Sequence, residues 1–203
     1  PQVAEKVKKH AEAIKVGEGM GEGVEMGPVI SAKAKDRIVG LIDDAEKRGS
    51  KVVLDGPVLT VPGYENGHFL GPTVLDDVPL DAPVYTEEVF GPVLAIVHAD
   101  TYEEALKIVN AQPFGNGSAI FTNDGGVARR FTLDVEAGMV GVNVPIPTPV
   151  AFYSFGGWKE SLLGDTHIHG PEGVTFYTRA KAITERWPTE KTYAATMSFQ
   201  REE

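Results

Sequence analysis

Between Val93 and Asn143 the apolar residues fall into three short runs separated by two helix-like stretches, and this alternation restricts the fold more than any other feature of the chain. Val93-Leu94-Ala95-Ile96-Val97, Ser118-Ala119-Ile120-Phe121-Thr122 and Met139-Val140-Gly141-Val142-Asn143 read as strands. Thr101-x-x-Glu104 reads as a capping box opening a helix with Ala105, Leu106 and Val109 inward. Asn123-Asp124-Gly125-Gly126 reads as a turn before a second helix around Val127–Val135. Strands that are apolar on both faces need helices over both, so the predicted fold class is α/β, a largely parallel sheet covered by helices.

The amino-terminal half predicts shorter elements. Val3, Val7, Ala11 and Ile14 form a helical stripe, followed by a Gly-rich loop from Gly17 to Gly27. A second helix has Ser31 as N-cap, Ile38, Leu41, Ile42 and Ala45 on one face, and Gly49 just past its end. Val52-Val53-Leu54, Phe69-Leu70 and Thr73-Val74-Leu75 are strand candidates. The stretch 144–175 carries Pro145, Pro147, Pro149, Gly156, Gly157, Gly164, Gly170, Pro171 and Gly173, too many breakers for regular structure, and long loops of this kind usually line something. Val174 to Thr178, and on to Ile183-Thr184, alternates as an extended segment that would need a partner edge. The 23 glycines and 14 prolines are spread between these elements, as expected for many turns and no single linker.

Charge and composition exclude several function classes. The chain is 42% hydrophobic and 24% charged, which allows a buried core, and no apolar stretch is long enough for a membrane span. Pro1-Gln2-Val3-Ala4-Glu5-Lys6 lacks the apolar run of a signal peptide, so a cytoplasmic location is expected. With 19 Lys+Arg against 29 Asp+Glu, net −10, neither nucleic acid nor membrane is an expected partner. There is no cysteine, so the 203 residues contain no disulfide, thiolate metal site or thiol nucleophile.

Candidate chemistry is sparse. Gly17-x-Gly19-x-Gly21-x-Gly23 fails as a phosphate-binding fingerprint: the sixth position is Glu22, Val24 or Met26, and Glu18, Glu22 and Glu25 would repel phosphate. Asp165, His167 and His169 alternate as a metal constellation would, but the spacing alone is weak, and no metal site is assigned. His10, His68 and His98 stand alone. No Gly-x-Ser-x-Gly occurs, and Ser118 reads as a strand-edge hydroxyl. The most pointed feature is Glu87-Glu88 before Val89-Phe90-Gly91-Pro92. Its turn leads into the most apolar strand, at the sheet edge where α/β proteins place ligands. A carboxylate there can accept both hydroxyls of a ribose, and an aromatic ring can flank a nicotinamide. Two acidic residues before a turn are otherwise a solvated surface.

These residues carry a resemblance. Glu88-Val89-Phe90-Gly91-Pro92 resembles the E-[I/V]-F-G-P motif of the aldehyde dehydrogenase superfamily, and further motifs keep the family order. They are Met26–Ser31, Gly67–Leu75, Phe114–Thr122, Glu136–Asn143 and Phe155–Ser161. Pro145 to Ala151, Gly164 to Gly173 and Phe176-Tyr177-Thr178-Arg179 resemble the methylmalonate-semialdehyde (malonate-semialdehyde) dehydrogenase subfamily. The likeness runs to about Pro188.

The resemblance implies part of the aldehyde dehydrogenase catalytic domain over 1–175, an oligomerisation strand over 176–188 and an unassigned tail over 189–203. It also implies an NAD-dependent oxidation that acylates coenzyme A, in a homo-oligomer of dimers or tetramers, in the mitochondrial matrix if eukaryotic. Glu88 would hold the nicotinamide ribose hydroxyls and Phe90 would flank the cofactor. Phe155 and Asn143 would border the semialdehyde pocket. The family's nucleophilic cysteine and dinucleotide-binding domain precede the matching region, so no catalytic residue maps here, the missing amino-terminal portion is an expected partner, and the chain alone is expected to be inactive. The rival readings are a non-catalytic interaction module with this fold and a different aldehyde dehydrogenase.

Overall fold

The computed structural model describes residues 2–56, 58–185 and 187, which fall into two compact units, Pro1–Pro113 and Phe114–Glu203. In the first unit α1 spans Gln2–Glu12 and packs Ala4 and Ala11 inward, while Val3 is exposed. α2 spans Ala32–Lys47. Its N-cap is Ser31, whose Oγ accepts from the Ala34 N–H at 3.1 Å, satisfying one of the donors a helix start leaves unpaired. Ile38, Leu41 and Ala45 form its buried face, and the helix gives way to Gly49 at φ +102°, a conformation that costs glycine little.

β1 (Lys51–Leu54), β2 (Val58–Leu59), β3 (Phe69–Leu70) and β4 (Thr73–Asp76) follow, then the short α3 (Pro83–Thr86), β5 (Val93–Ala95) and α4 (Tyr102–Asn110). The three-stranded sheet has the order β1-β4-β5, with β1 antiparallel and β5 parallel to β4, and β2 pairs with β3 antiparallel. β4 is central, and its Thr73, Val74 and Leu75 are buried. Val74 and Leu75, fully withdrawn from water, stabilise by about 1.5–3 kcal/mol each. The Thr73 hydroxyl is not wasted there, because its Oγ1 accepts from Gly56 N at 3.0 Å. The core gathers Ala45, Leu75, Val78, Ala82 and Val84, and Val89 and Val93 pack against it.

In the second unit β6 (Phe114–Gly115) and β7 (Gly117–Ile120) lead to α5 (Gly125–Asp134), β8 (Met139–Val142), β9 (Trp158–Lys159) and α6 (Gly170–Tyr177). β7 and β8 are parallel with α5 as their crossover, and β6 pairs antiparallel with β9. Phe131, Val135 and Ala137 are its buried apolar residues among those described.

The α/β expectation holds, with mixed sheets in which parallel pairs β4-β5 and β7-β8 coexist with antiparallel ones. Three local expectations change. Gly125 and Gly126 are helical, because Asp124 Oδ1 accepts from both Gly126 N (2.8 Å) and Val127 N (3.0 Å) and starts the helix earlier. On α4, Ala105 and Val109 are exposed and Leu106 is half-buried, because the helix turns Glu104, Lys107 and Ile108 onto an open cavity of about 590 Å³ shared with Leu80 and Tyr85. Val174–Tyr177, expected to be extended, close α6. Pro171 in its first turn has a backbone angle suited to a helix start, and the Thr175 and Thr178 hydroxyls donate to Pro171 O and Val174 O. Residues 178–185 form no strand, while Arg186 and the tail 189–203 lie outside the described residues. No described helix is long and apolar enough to cross a membrane.

Candidate functional site

The Glu87–Pro92 turn lies between α3 and β5, and its two carboxylates have different environments. The C-cap of α3 is Glu87, in extended conformation, its N–H bonded to Pro83 O. Arg37, on α2, reaches the turn with a forked guanidinium. Nη2 donates to Glu87 Oε2 (3.1 Å) and to Glu88 O (3.0 Å), and Nη1 donates to Val89 O (3.0 Å). Glu87 is thereby paired. The Glu88 carboxylate is exposed and has no hydrogen-bond or ion-pair partner among the described residues. Phe90 follows at φ +53° with its side chain 75% exposed, an unusual conformation for an aromatic residue. Gly91 lets the turn lie directly on α2, since a Cβ there would come within 2.5 Å of Ile38 Cδ1. Phe90, Gly91 and Pro92 line a cavity of about 670 Å³ with Met26 to Ile30, so the ring has an open, mainly apolar space beside it. A free carboxylate two positions from an exposed aromatic face can accept a pair of hydroxyls while the ring stacks against a flat heterocycle.

Asn143 and Phe155 belong to the second unit. Asn143 ends β8 at φ +57°, and both ends of its amide bond the backbone of Thr122: Oδ1 accepts from Thr122 N (2.9 Å) and Nδ2 donates to Thr122 O (3.0 Å). The side chain continues the β7/β8 ladder beyond the strands. Asn143→Ala is expected to cost about 1–3 kcal/mol, through two lost hydrogen bonds and the poorer tolerance of alanine for positive φ. Asn143→Gly loses the same hydrogen bonds but carries no β-carbon to strain, and should cost less. Urea unfolding midpoints of the two variants test this, and an unchanged midpoint for Asn143→Ala would remove the role.

Phe155 is half-buried and stacks on the His169 ring at 4.6 Å and 9°. His169 is in turn the N-cap residue of α6. His167 is held from the same helix, its backbone N and Nδ1 both lying on Glu172 Oε2 (2.6 and 2.9 Å). Those contacts, the backbone N–H first, hold the Glu172 carboxyl below its ordinary range. Both histidines of the constellation considered above therefore brace the loop that carries Phe155.

The glycine-rich loop spends its amides on itself. Gly17, Gly21, Val24 and Glu25 donate to Met26 O, Glu18 O, Gly21 O and Lys15 O, which agrees with a structural loop. Periodicity missed two groupings. One is Arg37, some fifty residues from the turn it binds. The other is His98, whose Nε2 lies 2.6 Å from Asp76 Oδ1 and 3.3 Å from Asp77 Oδ1, with Lys51 also paired to Asp77. Lys51 holds the Asp77 carboxyl below its usual range. No sequence pattern signalled this network, because Asp76 and His98 approach only through the parallel β4/β5 register of the folded sheet.

Open-faced parallel α/β pairs, a carboxylate–aromatic turn at the mouth of β5 and the ordered motifs around it agree with the aldehyde dehydrogenase family profile, which matches residues 1–183, and the chain belongs to that family. Within it, the chain is similar to the malonate-semialdehyde dehydrogenase of Pseudomonas aeruginosa, 50% identical over 183 residues, covering 90% of this chain and 37% of that protein. It is also similar to the mitochondrial, acylating methylmalonate-semialdehyde/malonate-semialdehyde dehydrogenase of Bos taurus, at 46% identity over 190 residues, 94% of this chain and 35% of that one. A crystal structure of a methylmalonate-semialdehyde dehydrogenase, so described provisionally, from Sinorhizobium meliloti complexed with NAD superposes with a TM-score of 0.88. It is 47% identical and covers 93% of this chain and 38% of that one. The chain thus spans a little over a third of the length of these relatives.

Proposed function

We propose that this chain is the carboxyl-terminal part of the catalytic domain of an NAD-dependent, CoA-acylating methylmalonate/malonate-semialdehyde dehydrogenase. The observation that carries the reading is the division of labour in the Glu87-Glu88 pair: Arg37 binds Glu87, and Glu88 stays free two positions before the exposed Phe90. The residues fit the cofactor, since Glu88 offers two acceptor oxygens for the two ribose hydroxyls and Phe90 offers an open ring face beside a cavity. When bound, NAD supplies the hydride acceptor. Glu88 orients the ribose, Phe90 limits the tilt of the nicotinamide, and together they hold the ring where a near-attack geometry can form. Phe155, braced by His169, and the strand end at Asn143 border the semialdehyde pocket. The described loop between them is the substrate rim.

The overall reaction is semialdehyde + CoA + NAD⁺ giving acetyl-CoA or propionyl-CoA, carbon dioxide and NADH. Its acyl carrier must be a thiolate, both a good nucleophile and a good leaving group, and these 203 residues contain none. The nucleophile and the dinucleotide-binding domain are therefore contributed by the remaining portion of the protein, and the isolated chain is inactive. We assign the segment 176–188, whose described residues end α6 and form no strand, to a subunit edge in the homo-oligomer, which would account for the exposure of Phe176, Tyr177 and Ile183. A cytoplasmic location, or the mitochondrial matrix in a eukaryote, suits this chemistry, and relatives such as the bovine enzyme are named mitochondrial.

The test is NADH formation by the intact protein with each semialdehyde, with and without CoA. Turnover is expected to fall by about tenfold or more without CoA, because a thioester then waits for water in place of a thiol. Unchanged turnover would sink the acylating assignment.

A further inference from the structure

We propose that Arg37 is a positioning residue for Glu88, setting the direction of its carboxylate through the backbone of the turn. The proposal rests on the reading of Glu88 as the ribose ligand. Three facts carry it. First, the guanidinium contacts three consecutive residues, the Glu87 carboxylate and the carbonyls of Glu88 and Val89, from a helix that the core holds through Ile38 and Leu41. The Glu88 Cα is bracketed by these contacts: Glu87 before it is held by its side chain and by its N–H on Pro83 O, and the peptide after it by the Glu88 carbonyl, so the backbone from which the Glu88 side chain projects has little freedom to turn. Second, the next residue, Phe90, sits at φ +53°, a conformation that persists only where surrounding contacts over-determine it. Third, the close approach of Gly91 to Ile38 leaves the turn seated on the same helical turn of α2 that carries Arg37. Side-chain orientation at Glu88 is therefore set by α2, some fifty residues away.

Only arginine can make this contact. Its planar fork offers several donors in fixed directions, whereas a lysine ammonium on a flexible stem satisfies the charge of Glu87 without holding both carbonyls. An ion pair this exposed contributes little to stability. The contact's effect is therefore geometric, and a misplacement of the order of an ångström at a reacting centre can cost about a hundredfold in rate.

The experiment compares Arg37→Lys, Glu88→Gln and the double variant in the intact dehydrogenase. Arg37→Lys is expected to lower kcat by about tenfold while the NAD dissociation constant, read by calorimetry, moves less than about threefold. Hydrogen exchange in the 87–91 segment should speed up by about tenfold, with α2 and β4 unchanged. The double variant should be no slower than Glu88→Gln alone, since one effect acts through the other. Three results would overturn the proposal: kcat unchanged in Arg37→Lys while Glu88→Gln is impaired, multiplying effects in the double variant, or unaltered exchange at 87–91. Glu88→Gln with normal kcat would instead remove the ribose reading itself, and the proposal with it. If Arg37→Lys folds poorly, Arg37→Gln, which keeps one donor and loses the fork, is read by the same coupling and exchange criteria.

Discussion

Glu88→Gln in the intact dehydrogenase is expected to lower kcat by about ten- to a hundredfold while changing the NAD dissociation constant by less than about threefold. The two ribose hydroxyls are both donors, and a carboxylate accepts both with charge assistance. Glutamine keeps one acceptor oxygen and substitutes an amide that donates, so one hydroxyl is left facing a donor. A hydrogen bond to a charged group contributes about 1.5–3 kcal/mol, and each 1.36 kcal/mol is tenfold in rate. On the proposed reading the loss falls on kcat, because the ribose contact would locate the nicotinamide while the dinucleotide-binding domain holds the rest of the cofactor. The free state of Glu88 makes the prediction specific: Glu87→Gln, which keeps an oxygen for Arg37 Nη2 to donate to, should lower turnover much less than Glu88→Gln does. Equal turnover of Glu88→Gln and the parent, under saturating NAD, would take Glu88 off the site.

The second large effect concerns the 203-residue chain purified by itself. It is expected to form no NADH from either semialdehyde above the buffer control, because it has no thiol to carry the acyl group. It is also expected to self-associate. The second unit exposes Phe121, Leu133, Leu163, Ile168, Phe176 and Tyr177, each at least 66% accessible, against only three buried apolar residues among those described there. On the proposed reading these side chains would be covered in the intact assembly, and left uncovered they favour association. Sedimentation velocity across a concentration range reads the outcome. A monodisperse monomer without concentration dependence would count against the segment 176–188 as an oligomerisation edge, and NADH formation by the chain alone would sink the account of the nucleophile.

Much of this was legible residue by residue. Ser31 and Thr101 cap helices as their spacing required, with Thr101 Oγ1 accepting from Glu104 N at 3.1 Å, because capping is a contact between neighbours in the chain. The second half of the capping box shifted by one residue, Glu104 Oε2 accepting from Asp100 N. The apolar runs at β4, β5, β7 and β8 became strands as their composition suggests, but only β4 is buried as expected: β5, β7 and β8 are mostly half-buried, with Leu94 and Val142 exposed. The error at Val174–Tyr177 has a similar local cause: its alternation also suits a short helix once Pro171 and the threonine hydroxyls favour one.

The sequence alone determined the fold class, the family and the absence of a thiol, since these rest on composition, period and ordered motifs. It placed a carboxylate pair before an aromatic turn but gave no means of choosing between Glu87 and Glu88. The tertiary structure made that choice through Arg37, and it committed the Asn143 amide to Thr122 and the His169 ring to Phe155. Each of these depends on side-chain reach between segments that the chain brings together only on folding. Hydrogen-bond direction and ring stacking leave no trace in periodicity, because they are decided by where neighbouring elements pack and not by which residues adjoin in sequence.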